Sequence, residues 1–299
     1  MELTAVRPHI AVLSHSEGFY TTKRLMEEAR AKGLEATRID PTRVFISVDA
    51  DAPVLEDGRP LPIPDILIPR VGATLTEWGL TLLRAMRGAG AWSPATPAAM
   101  ALAQDKIGSS IALRAAGLPV LPTVAVREPA HIDHALEELD SSGFVIKRPR
   151  GTQGRGVMSA PDRTGARALL EGLLVEASVT LAQPLIELES TRDLRVLVIG
   201  GRAYAACWRN AAPGEFRSNV HLGGQTEPAE LDASTAELAE RSASAIGLTT
   251  CGVDLIETTE GLRVLEVNGS PGIEGLETAT GQNVAGAMIS SMVVDWGSC

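Results

Sequence analysis

The sequence predicts an α/β unit followed by two α+β units, and three observations carry that expectation. Residues 9–40 run strand, helix, strand, the βαβ order that produces a parallel sheet. A Gly-, Pro- and Ala-rich stretch, "GAGAWSPATPAAM" (88–100), then interrupts the pattern. Beyond it, strands arrive as hairpins separated by single helices, the order of α+β layers. At 299 residues the chain exceeds one average domain, and boundaries are expected at 1–94, 95–184 and 185–299.

Each element follows from local pattern. "HIAVLSHS" (9–16) is an apolar run of strand length, and Thr21 to Lys32 carries helical periodicity with Gly33 as its stop. "LEATRID" (34–40) reads as the next strand. "PDILIPRVGAT" (64–74) reads as another strand running into a loop, and "EWGLTLLRAMRGAG" (77–90) as a helix ending in glycines. "AQDKIGSSIALRAAGLPVLPTVAV" (103–126) gives a helix, a Gly-Leu-Pro stop and a strand, and "HIDHALEELDSSG" (131–143) a short amphipathic helix. "FVIKRPRGTQGRGVMSA" (144–160) is two strands around a glycine-rich loop, followed by a helix over "ARALLEGLLVEA". Hairpins then dominate, with a helix over 234–246 and a last helix beginning near Asn283.

The formal charge of -10 argues against nucleic-acid or anionic-membrane binding, which demand a basic surface. No apolar run of 18 residues exists, and the N-terminal apolar patch is too short for a signal peptide's hydrophobic core. Cys207, Cys251 and Cys299 are odd in number and lack paired spacing, which fits a reducing cytoplasm. His131 and His134 have no third ligand nearby and read as a solvated helix face.

"CGVDLIETTEGLRVLEVNGS" (251–270) carries the strongest chemical signal. Two alternating strands flank a turn. A register that opposes Val253 to Val267, Leu255 to Leu265 and Glu257 to Arg263 gives an apolar ladder closed by an ion pair. The same register sets Asp254 opposite Glu266, with Asn268 next on that face. Like charges directly opposite destabilise a hairpin, and a divalent cation with hard oxygen ligands relieves them. Mg²⁺ typically bridges one or two carboxylates to substrate phosphates, so a nucleotide is expected as well. The plain alternative is a pair of exposed or protonated carboxylates.

The loop "VIKRPRGTQGRGVM" lacks the Gly-Lys-Ser/Thr of a Walker loop, and a strand rather than a helix follows it. Its backbone N–H groups, from Gly151, Thr152, Gln153 and Gly154, can lie over phosphates while Lys147 on the incoming strand meets phosphate oxygens. An ordinary hairpin tip is the competing reading. Lys106 sits at a helix start. The long loop "RNAAPGEFRSNVHLGG" (209–224) places Arg209, Arg217, Asn219 and His221 among turn residues, which points to an anion site. Cys251 reads as a small packed side chain.

Together these pieces resemble the ATP-grasp superfamily, and within it the RimK type of ribosomal-protein glutamate ligase. The likeness covers nearly the whole chain through "IPRVGATLTEWG", "QDKIGSSIALRAAGLPV", "APGEFRSNVHLGG" and "VLEVNGSPGIEGLETATGQNVAG". It implies a fold that clasps ATP between two α+β subdomains. Lys106 and Lys147 match the ATP-binding lysines, and Gln183, Pro184 and Leu185 the adenine linker. Asp193 matches a nucleotide contact, and Arg217, Ser218 and Asn219 the phosphate-side loop. Asp254, Glu266 and Asn268 match the magnesium ligands, expected to hold two ions, with Mn²⁺ able to replace Mg²⁺. Lys147, Arg217 and Asn219 are the expected catalytic groups. Arg70, Arg209, His221, Asn268 and Gly269 are expected near the substrates.

The implied reaction is ATP-dependent ligation of a carboxylate to an amine through an acylphosphate. Pro184, Trp208 and Leu222 depart from the family pattern, where acidic or basic residues are common. The acceptor therefore ranges from a protein tail to a small molecule in natural-product biosynthesis. A non-catalytic nucleotide-binding protein is the alternative of another class, and homo-oligomerisation is left open.

Overall fold

A computed structural model describes residues 7–49, 51–72, 75–151, 156–176, 179–186, 192–211 and 224–298. Its first sheet is parallel, in the order β2-β1-β6, from β1 (His9–Leu13), β2 (Glu35–Ile39) and β6 (Ile66–Pro69). Successive β1 side chains enter different cores. Ile10 and Val12 pack with Leu25 and Met26 of α1 (Tyr20–Ala31), while Ala11 and Leu13 pack with Leu82, Leu83 and Met86 of α2 (Thr76–Gly88). Period-2 alternation on a sheet covered on both faces explains why β1 reads as a continuous apolar run.

Residues 41–63, for which the sequence raised no expectation, form an antiparallel sheet of β3 (Val44–Ile46), β4 (Val54–Glu56) and β5 (Arg59–Pro60). A signal was present. Asp57 and Gly58 adopt φ of 50° and 74°, the paired left-handed conformations of an Asp-Gly hairpin turn. The Gly/Pro/Ala-rich stretch likewise ends in a helix, α3 (Pro97–Ala103), because the Thr96 hydroxyl accepts from Ala99 N–H and Pro97 presets the first turn.

Asp105 caps the next helix, α4 (Lys106–Ala115), accepting from the N–H groups of Ile107 and Gly108. A second, antiparallel sheet of order β7-β10-β8-β9 follows, from β7 (Val124–Val126), β8 (Phe144–Lys147), β9 (Val157–Ala160) and β10 (Thr180–Pro184). It is backed by α5 (Ile132–Glu138) and α6 (Arg163–Glu176), and it closes its own core around Phe144, Ile146, Leu136 and Leu170.

The third sheet runs β13-β12-β11-β14-β15. Its strands are β11 (Arg192–Ile199), β12 (Arg202–Asn210), β13 (Gln225–Pro228), β14 (Cys251–Thr258) and β15 (Gly261–Asn268). α7 (Ala233–Ile246), α8 (Glu274–Thr280) and α9 (Val284–Gly297) complete the chain. One apolar cluster joins this sheet to α2 and α3, and another joins it to α1 and β1 through α8 and α9. The N-terminal and C-terminal sheets therefore share cores, whereas the middle sheet has a separate one.

The β14–β15 hairpin corrects half of the expected register. Val253 opposes Val267 and Asp254 opposes Glu266, as expected. A bulge after Asp254 then shifts the ladder, so that Leu255 meets Val264, Ile256 meets Arg263 and Glu257 meets Leu262. Two constraints require it. The tight turn pairs Thr258 with Gly261, whose φ of 99° only glycine adopts easily, while Val264 N–H is taken by Pro119 carbonyl at 2.7 Å. Glu257 consequently pairs with Arg192 at 3.0 Å, and Arg263 with Glu260.

Candidate active site

Four elements converge between the second and third sheets. The α4 cap delivers Lys106, the end of β8 delivers Lys147, β10 delivers Gln183, and the β14–β15 hairpin delivers Asp254, Glu266 and Asn268. Lys106 Nζ lies 2.9 Å from Glu266 Oε2, and its backbone N–H donates to Pro149 carbonyl at 3.0 Å, which ties the helix start to the glycine-loop hairpin. Lys147 Nζ donates to Gln183 Oε1 at 2.6 Å, and Gln183 in turn donates to Thr123 Oγ1 at 2.8 Å.

The facing carboxylates are neutralised one by one. Asn268 Nδ2 donates to Glu266 Oε1 at 3.0 Å and to Asp254 Oδ2 at 3.2 Å, bridging the two. Asp254, 1% exposed, also receives Arg195 through both carboxylate oxygens and Arg209 at 2.9 Å. Burial acts to raise the Glu266 carboxyl, but the Lys106 ammonium and the Asn268 amide hold it well below the usual carboxylate range. Glu266 raises Lys106 in turn, against the opposing effect of burial. Burial pushes Lys147 down to about 8, with Lys106 acting in the same sense and Glu266 against it.

Asp193 and Arg209, expected at the nucleotide and the substrate, lie on β11 and β12, beside the hairpin in the same sheet. Arg209 donates to Asp193 at 2.5 and 2.7 Å and reaches Asp254 from the same guanidinium. Burial opposes its charge, yet Asp254 and Asp193 together raise it above the ordinary arginine value. Arg195, which the sequence reading missed, is the other buried partner of Asp254. Its position opposite Asp254 on β11 was its only signal, and that required knowing the strand order.

The N–H of Leu185, a residue of the expected adenine linker, donates to Gly143 carbonyl at 2.9 Å, because the β8–β10 ladder continues one residue past Pro184. Gly269 packs against Met100, whose sulfur would stand 2.6 Å from an added Cβ. Arg70 reaches the turn after β15, donating to Pro271 carbonyl at 2.5 Å. Trp208 lies under the Arg192 guanidinium, 4.0 Å from its ring centre. Cys251 is buried, and burial raises its thiol to about 12, as suits a packed, inert side chain. Thr152, Gln153, Gly154, Arg217, Ser218, Asn219, His221 and Leu222 lie outside the described residues.

The donor set fits a hard cation. It offers two carboxylates and one amide, and a cationic or N–H group already stands against each carboxylate. Turning the Asn268 amide would present a third oxygen to the same point. Among the described residues no cluster of three His, Cys, Asp or Glu side chains forms, and this site pairs two carboxylates with an amide instead.

Residues 103–292 match the RimK-like ATP-grasp domain, and residues 9–100 match the RimK pre-ATP-grasp domain. The chain belongs to the RimK-like ATP-grasp family. It is 39% identical over 284 residues to a probable alpha-L-glutamate ligase of Thioalkalivibrio sulfidiphilus, covering 94% of each chain. Among solved structures, a RimK domain ATP-grasp protein of Sphaerobacter thermophilus superposes with a TM-score of 0.75 at 22% identity, over 94% of this chain and 98% of that one. The ATP-grasp ligase PsnB, solved with a precursor variant, Mg and ADP, gives 0.74 at 22% identity over 96% and 98%. No helix among the described residues is long and apolar enough to cross a membrane.

Proposed function

We propose that this RimK-like protein, an ATP-dependent carboxylate–amine ligase, couples the amine of an amino acid, glutamate being the first to test, to the carboxylate of a peptide or amino-acid-like acceptor. The observation that carries the site assignment is the meeting of Lys106 and Lys147 with Glu266, Asn268 and Asp254 in one cleft between two sheets. A carboxylate is a poor acyl donor, and transfer of a phosphoryl group to it creates a leaving group. The acceptor oxygen bonds to the γ-phosphorus as the bond to ADP breaks. The amine then bonds to the acyl carbon, loses its proton, and phosphate leaves.

In this reading Lys106 and Lys147 bind phosphate oxygens, and the loop around Gly151–Gly154 covers them and excludes water. Gln183 and the Pro184 carbonyl border the adenine. Asp254, Glu266 and Asn268 would hold Mg²⁺, in a two-ion arrangement that Mn²⁺ can also fill. Bound there, the metal supplies charge neutralisation for the phosphates. Arg195 and Arg209 keep the Asp254 carboxylate aimed. We assign Arg217 to the charge of the tetrahedral adduct, with Ser218 and Asn219 beside it. We place the reaction in the cytoplasm, and light scattering will decide whether the chain self-associates there.

A second reading, a peptide ligase in small-molecule biosynthesis, is favoured by one observation. Trp208, where the family is often basic, is capped by Arg192, which itself pairs with Glu257. That aromatic–guanidinium surface differs from a basic groove for an acidic tail.

The test is ADP release across a panel of carboxylates and amines, with hydroxylamine to trap the acylphosphate as a hydroxamate. A hydroxamate that disappears in Glu266→Ala supports the proposal. Absence of hydroxamate with every carboxylate would leave a nucleotide-binding protein without ligase chemistry.

A further inference from the structure

Among the described residues, Arg70 is a guanidinium near the cleft with no carboxylate partner. Arg195 and Arg209 each embrace aspartates, and Arg38, at the neighbouring strand end, pairs with Asp40 at 3.0 Å. Among the described residues Arg70 instead has a single hydrogen-bond partner, the Pro271 carbonyl, and its Nε is fully covered with no acceptor. Burial alone lowers it to about 10, with no anion among the described residues to offset the cost. Burying a guanidinium without an anion costs stability, and an anionic ligand offsets that cost.

Its position says which anion. Arg70 follows β6 directly, at the carboxyl edge of the parallel sheet, where open α/β sheets take their ligands. Its backbone N–H is fixed to Leu13 carbonyl at 2.8 Å, and its side chain to the turn that leaves the Glu266–Asn268 strand. Pro271 is three residues beyond Asn268, at most about 11 Å of backbone, so the guanidinium is tied to the turn that leaves the acidic strand.

We propose that Arg70 binds the carboxylate that does not react: the α-carboxylate of the amino acid whose amine is acylated. This inference rests on the ligase reading given above. The reacting carboxylate must offer an unencumbered oxygen to phosphorus, and a forked guanidinium would withdraw its lone pairs. The amino acid's own α-carboxylate has no such duty, survives in the product, and enters beside phosphate anions, where it needs a cation. The planar fork of Arg70 also fixes the amine, one carbon away from that carboxylate, in orientation toward the acyl carbon.

The test compares L-glutamate with L-isoglutamine, its α-carboxamide, as amine donors, with hydroxylamine as a nucleophile that has no carboxylate. It uses the full-length protein with a carboxylate that gives a hydroxamate. Wild type is expected to favour L-glutamate over L-isoglutamine by about 10- to 100-fold in kcat/KM, the worth of a charged hydrogen-bonded pair. Arg70→Ala should collapse that preference to about 3-fold or less and lower the ratio of glutamate- to hydroxylamine-dependent rates by a similar factor, with Arg70→Lys restoring part of both. A merely structural arginine would lower both rates together and leave the ratio unchanged. An unchanged preference in Arg70→Ala, or a wild type indifferent to the carboxamide, overturns the assignment while the ligase reading stands. Failure to trap any hydroxamate overturns both.

Discussion

Lys147 gives the sharpest test of the candidate site, because folding and nucleotide binding make opposite demands on it. Its ammonium lies at the end of β8 with Gln183 as its hydrogen-bond partner among the described residues, and burial lowers it from the ordinary 10.5 to about 8. A shift of that size corresponds to roughly 3 kcal/mol against the folded state whenever the lysine is protonated. Below pH 8 both states carry the proton and the penalty is complete. Between pH 8 and 10.5 the folded protein has released it while the unfolded chain retains it, so stability rises with pH through that window. Lys147→Met removes the titration and keeps the length. Urea unfolding of both proteins from pH 7 to 10.5 should show the difference moving in favour of wild type by roughly 3 kcal/mol. Loss of the Gln183 bond in the variant is independent of pH and cancels. The same variant should bind ADP about 10- to 100-fold more weakly, as expected for a lost charged hydrogen bond. A stability difference flat or falling with pH would refute the burial argument, and an unchanged ADP dissociation constant would remove Lys147 from the nucleotide site.

The other expectations concern the acidic face. Asn268→Ala and Glu266→Ala should lower ADP formation by more than the ~10- to 100-fold typical of outer-shell partners, with cooperative unfolding retained; turnover close to wild type would contradict the ligand assignment. Arg195→Met leaves the buried Asp254 with one arginine and should cost about 3–5 kcal/mol in denaturant unfolding, whereas a change under ~1 kcal/mol would mean that water reaches the carboxylate. Mg²⁺ and ADP should each tighten the other by about 10-fold or more in titration calorimetry, and Lys106→Met should weaken that coupling; additive binding would contradict it.

Much of this was legible in the sequence, for identifiable reasons. The β1–α1–β2 unit, the α4 start at Lys106 and the opposition of Asp254 to Glu266 all rest on local periodicity, which sequence carries directly. The bulge after Asp254 was not legible, because one of its causes is the bond from Val264 to Pro119, more than a hundred residues away. Arg195 and Arg209 were opaque for a related reason. Alternation places each on a face, but only the strand order β12-β11-β14 brings both onto Asp254. The Leu185 N–H shows the limit of a residue-by-residue resemblance: the residue stands at the expected place, and the ladder has already used its donor. The β3–β5 sheet was legible through Asp57–Gly58 and was simply not read.

The expected coupling follows from how the cleft balances charge. Each acidic group at the site has a provisional cation or donor: Lys106 on Glu266, the Asn268 amide across both carboxylates, and the arginine pair on Asp254. The arginines are buried and fixed within the sheet, so Asp254 keeps them in any state. Lys106 and Asn268 face the cleft and are the exchangeable members. A nucleotide alone would draw Lys106 toward phosphate and leave Glu266 without its counter-ion beside a polyanion. A metal alone would sit on Glu266 against the displaced ammonium of Lys106. Together each ligand removes the charge conflict created by the other, which makes their binding free energies interdependent without any movement of the sheets. The facing carboxylates, unfavourable in an isolated hairpin, are stable here because Lys106, Asn268, Arg195 and Arg209 stand against them.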